Sequence, residues 1–187
     1  IGLQAISKLN IIDILIRLLQ DNTQISFIAQ TTLVNVSSHA LMASELIDNG
    51  IIEIIMELLS QCVNKGKSPR QLLMILTNVT LSETGVEKFI QEGKEYEGLN
   101  ALRLFSWFNN EEFVTKDLKS GIDNWSKAAS VIANLSQSAI FRRLIVDPSH
   151  QYLEDLEWQL KRLQIAPNDP YIIERAFGIL RLCHNLA

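Results

Sequence analysis

The sequence predicts an all-α fold, a right-handed α-solenoid of about four stacked helical repeats, and three observations carry that prediction. Leu and Ile supply 50 of the 187 residues, against 8 Gly and 4 Pro, a balance that favours helices over a turn-rich sandwich. Apolar residues recur at i, i+3, i+4 and i+7 in one segment after another, and none alternates apolar with polar as a strand would. Several apolar runs also close on the same Asn-x-Ser/Thr triplet.

Those runs are Ile28-Ala-Gln-Thr-Thr-Leu-Val-Asn35-Val-Ser, Gln71-Leu-Leu-Met-Ile-Leu-Thr-Asn78-Val-Thr and Lys127-Ala-Ala-Ser-Val-Ile-Ala-Asn134-Leu-Ser. An apolar residue stands six before each Asn (Ala29, Leu72, Ala128), and Ala176 with Leu182 extends the pattern to a fourth unit. The steps are 43, 56 and 48 residues, close to the period of armadillo and HEAT repeats, each of two or three helices. The polar stretch 109–123, with Glu111, Glu112, Lys116, Asp117 and Lys119, reads as an inserted surface loop that lengthens the middle step at small entropic cost. The expected organisation is one armadillo-like domain over 1–187, with repeats at 9–48, 49–93, 96–147 and 150–187.

The other helices repeat too. Asn10-Ile-Ile-Asp-Ile-Leu-Ile-Arg-Leu-Leu19 resembles Gly50-Ile-Ile-Glu-Ile-Ile-Met-Glu-Leu-Leu59 position by position, and Gly98–Phe105 and Tyr152–Leu160 fill the same slot. Shorter helices are expected at Leu41–Ile47, Gly85–Ile90 and Ile140–Ile145. Ser68-Pro69, Asp147-Pro148 and Asp169-Pro170 read as a capping side chain before a Pro at the first helical position. Asn124 is expected to cap the helix carrying Trp125, and Gly50 to stop one helix before the next. Trp107, Trp125 and Trp158 are assigned to the core between repeats.

One three-helix repeat cannot hide its apolar stripe alone, so neighbours stack and bury a continuous core, leaving the third helices along a concave side. Positions −4, 0 and +3 around each Asn share a face: Thr31, Asn35, Ser38; Met74, Asn78, Leu81; Ser130, Asn134, Gln137. These nine residues are the candidate partner-binding groove, and the fourth unit continues it with Gly178, Leu182 and Asn185. An Asn amide there suits the backbone of an extended polypeptide. It equally suits neighbouring backbone within the protein, where it fixes the geometry of the repeats.

Other chemistries find little support. A formal net charge of −4 does not indicate a nucleic-acid surface. Asp13 and Arg17 interrupt the most apolar stretch, Ile11–Leu19, so no membrane span is expected. The Asn-x-Ser/Thr triplets, including Asn124-Trp-Ser, match the glycosylation acceptor, but a packed helix is a poor acceptor site. Lys65-Gly66-Lys67-Ser68 lacks the earlier Gly and the strand of a phosphate-binding loop. Cys183-His184 has no second pair at metal-ligand spacing, so no metal or cofactor is expected. Cys183 reads as a small buried side chain, with a Cys nucleophile as the enzymatic alternative. Arg142-Arg143 is expected to pair with acids on an adjacent repeat or on an acidic partner. Two cysteines make no disulfide framework, and the sequence reads as part of a longer protein of a reducing compartment.

Asn124-Trp-Ser-Lys-Ala-Ala-Ser-Val-Ile-Ala-Asn-Leu-Ser-Gln137 followed by Phe141-Arg-Arg-Leu-Ile-Val-Asp-Pro148 resembles a signature of the armadillo-type folding chaperones dedicated to eukaryotic elongation factor 2. Thr32–Ser37 is similar to an earlier Leu-Val-Asn-Leu element of that family. Gly178–Cys183 is similar to a later Gly-x-x-Arg-Asn-Cys element, with Leu182 in place of its Asn. The resemblance implies a cytoplasmic, monomeric, non-enzymatic adaptor that binds elongation factor 2 and assists its folding with the cytosolic chaperonin. The alternative is a generic armadillo scaffold, or an adaptor of the nuclear-import or adhesion type. Import adaptors carry Trp four residues before the ladder Asn, where this chain has Thr31, Met74 and Ser130.

Overall fold

Apolar residues at helical spacing find one another across neighbouring helices in the computed structural model, which describes residues 11–21, 24–65, 68–91, 99–109, 120–149, 151–165 and 172–187. The helices are α1 (Ile11–Leu19), α2 (Gln24–Ser37), α3 (Ala40–Asp48), α4 (Ile51–Lys65), α5 (Arg70–Val79), α6 (Glu83–Gln91), α7 (Leu99–Asn109), α8 (Ser120–Leu135), α9 (Ala139–Val146), α10 (Tyr152–Ile165) and α11 (Ile172–Leu186). No strand occurs among the described residues.

On α4 the pattern is plain. Ile51, Ile52, Ile55 and Leu59 are fully buried, Met56 nearly so, and Glu53, Glu57 and Ser60 stay exposed on the other side. Each such Ile or Leu contributes about 1.5–3 kcal/mol on leaving water. Gly50 supplies the turn that aims α4 back across α3, with φ of 71°, a conformation that costs glycine nothing.

The helices pack in a recurring order. α4 lies on α5, α7 on α8 and α10 on α11, while α2 packs against α5, α5 against α8, and α8 against α11. The first helices, α3 and α6, also meet. The all-helical chain is thus compatible with a helical-repeat solenoid in which α2, α5, α8 and α11 are the third helices. Phe105 of α7 meets Tyr152 of α10 edge to face, with ring centroids 4.9 Å apart and planes at 72°. Such a contact adds about 0.5–1.5 kcal/mol to the area buried.

Several local expectations differ from what forms. The polar insertion does not run to residue 123, because α8 already begins at Ser120; the rest of it, 110–119, lies outside the described residues. Asn124 is therefore no cap: it sits inside α8, 3% exposed. Pro69 occupies the N-cap position of α5, with no side-chain cap bond. Asp147 closes α9, and its Oδ1 accepts from Ser149 N at 2.8 Å and Ser149 Oγ at 2.6 Å. That Asx turn ends before α10 starts at Tyr152. Asp169-Pro170 lies outside the described residues. Trp158 is 45% exposed and not core, whereas Trp107, half-buried, packs against the core as expected, and the Trp125 side chain is outside the description.

Candidate polypeptide-binding face

Every α-helix ends in carbonyls that its own backbone cannot satisfy. On α2, α5 and α8 one of these is met by an asparagine of the next third helix. Asn78 Nδ2 donates to Val34 O at 3.1 Å and to Ser37 Oγ at 2.9 Å. Asn134 Nδ2 donates to Thr77 O at 3.2 Å and Thr80 Oγ1 at 3.1 Å. Asn185 Nδ2 donates to Ala133 O at 3.3 Å and Ser136 Oγ at 2.7 Å.

The three sets are superposable in register. The carbonyl always belongs to the residue just before the neighbour's own Asn, and the hydroxyl to the residue two after it. The hydroxyl turns its proton into its own helix: Ser37 Oγ to Val34 O at 3.0 Å, Thr80 Oγ1 to Leu76 O at 2.7 Å, Ser136 Oγ to Ala133 O at 2.6 Å. Its lone pair then faces the incoming amide. This is why the triplet reads Asn-x-Ser/Thr: the Asn donates to one neighbour, and the hydroxyl two residues later receives from the other. Ser37, Thr80 and Ser136 are all buried, so a lost partner there leaves an unsatisfied group costing about 1–3 kcal/mol.

The fourth rung is Asn185. Leu182 is buried, 1% exposed, as are Ile75 and Val131 three residues before Asn78 and Asn134. The register of α11 is therefore shifted by almost one turn from that set by Ala176 and Leu182. Asn134 is 1% exposed, and its Oδ1 is buried without an acceptor role among the described residues.

The nine groove residues separate accordingly. Asn78 and Asn134 stand in line on successive helices but aim sideways, into α2 and α5. Thr31, Asn35, Ser38, Leu81 and Gln137 are exposed, and Met74, Asn78 and Ser130 are half-buried. Thr31, Ser38 and Ser130 return their hydroxyl protons to their own helices, at Phe27 O, Asn35 O and Ser126 O. The same helices also expose Phe27 (57%) and Phe177 (69%), which the −4, 0, +3 pattern missed. Phe27 lies one turn before Thr31, and counting one turn further back on each helix is the signal that reaches it.

Arg70 is exposed and Lys127 and Arg181 half-buried, and no carboxylate occurs among the described side chains of α2, α5, α8 and α11. Glu53, Glu57, Glu83 and Glu87 are exposed on first and second helices instead. Among the described residues Arg142 pairs with no acid. Its guanidinium caps the turn after α8, with Nη1 donating to Ser136 O at 2.9 Å and Gln137 O at 2.7 Å. Partial burial pushes the Cys183 thiol above its ordinary pKa, away from the thiolate that a nucleophile needs. No cluster of three metal-ligating side chains occurs among the described residues. No described helix is long and apolar enough to cross a membrane.

The chain is similar to the Protein HGH1 homolog of Dictyostelium discoideum, at 24% identity over 156 residues that make up 83% of this chain and 41% of that protein. The chain thus spans about two fifths of the length of the curated relative it matches. No protein-family model matches the chain, and no solved structure does.

Proposed function

We propose that the chain is an armadillo-type solenoid of about four repeats that binds polypeptide along the exposed side of its third helices. In this reading it acts without catalysis as a cytosolic, monomeric adaptor that helps elongation factor 2 fold with the cytosolic chaperonin. One observation carries the binding role. The +3 positions Ser38, Leu81 and Gln137 are exposed on three successive helices, and the −4 positions are exposed at Thr31 and half-buried at Met74 and Ser130, while the Asn between them holds the helices together on α5 and α8. The face mixes hydroxyl and amide groups with the exposed apolar side chains of Phe27 and Leu81, and Lys127 and Arg181 favour a segment that brings carboxylates. The similarity to the HGH1 homolog and the resemblance of Asn134–Gln137 with Arg142–Pro148 to the elongation-factor-2 chaperones support the client.

The test is capture of elongation factor 2, made in a cell-free translation reaction, on the immobilised chain. The expected result is retention that Leu81→Glu with Gln137→Glu reduces at least about tenfold, since these put carboxylates on a face that has cations. No retention, or retention indifferent to both substitutions, contradicts the proposal.

A further inference from the structure

The bonded asparagines specify what a neighbour on the upstream side has to offer. Asn78, Asn134 and Asn185 each donate to a carbonyl in the last turn of the preceding third helix and to a hydroxyl three residues beyond that carbonyl. Asn35 occupies the same place on α2 in the same triplet. It is exposed, and its amide meets no acceptor among the described residues.

The side chains beside it are uncovered in the same way. Ile28, two turns earlier on the same stripe, is 60% exposed, and Ile25 is 49% exposed. Three residues before the Asn, the inner helices bury Ile75, Val131 and Leu182 at 0%, 0% and 1% exposure, whereas Thr32 of α2 is only half-buried. The flank that each later third helix presses against its predecessor therefore lies open on α2, and it is apolar around a central amide.

We infer that this flank (Ile25, Ile28, Thr32 and Asn35) is the docking surface for one further helical layer placed ahead of α1 in the same polypeptide. Its closing turn presents a backbone carbonyl and, three residues on, a Ser or Thr hydroxyl. The inference rests on the layered reading of the chain and continues an interface already formed three times. A second copy stacked tail to head fits less well, because the residue two past Asn185 is Ala187 and offers no hydroxyl. The HGH1 homolog, more than half of which lies outside the matched stretch, has chain enough for such a layer.

The test lengthens the whole chain with a second copy of its own residues 40–82, joined ahead of residue 1, so that the copied Thr77 carbonyl and Thr80 hydroxyl can reach Asn35. In the unextended chain, Asn35→Ala is expected to move Tm by less than about 1 °C, as for an exposed side chain. In the lengthened chain the same substitution lowers Tm by about 4 °C or more, and Thr80→Val in the copied turn removes that sensitivity. Equal effects of Asn35→Ala in both chains overturn the inference, and so does a copied layer that melts separately. Sedimentation of the unextended chain gives a second reading: a dimer that Asn35→Ala abolishes assigns the surface to a second copy and overturns it as well. Failure here with Asn78 and Asn134 still coupled to their acceptors leaves the layered reading intact.

Discussion

Asn35 and Asn134 stand in the same triplet, late in the same kind of helix, yet one is exposed and the other is 1% exposed with two bonds to the preceding helix. The difference lies in the neighbour and not in the residue. Where α5 offers a carbonyl and a hydroxyl, the Asn is drawn out of water and its bonds strengthen in the low dielectric between helices. Asn35 meets no such turn among the described residues, and its side chain is exposed. The triplet is thus a connector whose contribution depends on what it faces.

That contrast breaks most visibly at the buried rung. Asn134→Ala removes the amide donor from the Thr80 hydroxyl and from the Thr77 carbonyl, which keeps only the 3.3 Å contact from Thr80 Oγ1, and is expected to cost about 2 kcal/mol. For a chain of this length that corresponds to a fall in Tm of roughly 4–8 °C by calorimetry; a fall of under 1 °C contradicts the assignment. Thr80→Val keeps the shape but removes the acceptor for Asn134 together with the hydroxyl's own bond to Leu76 O, so a loss of about 1 kcal/mol in urea midpoint analysis is expected. Asn35→Ala, as the control, should change stability by less than about 0.5 kcal/mol.

The smallest effect belongs to a surface pair. Glu157 and Lys161 lie 2.7 Å apart one turn along α10, and hydrogen bonding to Lys161, then its charge, hold the Glu157 carboxyl below its ordinary pKa. A lowered carboxyl contributes stability above the carboxylate range and loses it as pH falls through that range. In full solvent the contribution is slight. Glu157→Gln should therefore leave the melting curve at pH 7 unchanged, and a drop as large as that of Asn134→Ala refutes the ranking of buried over exposed contacts.

The helices and their order were legible because apolar periodicity survives any loop insertion: Ile51, Ile55 and Leu59 sit where their spacing puts them. The triplets were legible as a repeated feature, but not the direction of their amides, since a position on one helix does not reveal which helix lies across from it. Asn185 was hidden for a related reason. Ala176 and Leu182 satisfy the apolar pattern equally well, and a shift of almost one turn leaves the periodicity nearly unchanged. Asn124 and Asp147 look like caps by composition, yet α8 runs back to Ser120 and Asp147 closes α9 and accepts from Ser149 in a turn. Large aromatics mislead as well. Composition assigns Trp158 to the core and gives Phe177 no role, yet both are exposed, because size alone does not say which side of a helix faces a neighbour.

The most direct measurement is a double-mutant cycle between Asn134→Ala and Thr80→Val, read as unfolding free energies in urea. If the amide of one helix satisfies the closing turn of the preceding one, the two losses overlap, with an interaction energy of about 1 kcal/mol. Losses that add within about 0.3 kcal/mol mean the residues act independently, and the connector role of the triplet does not hold.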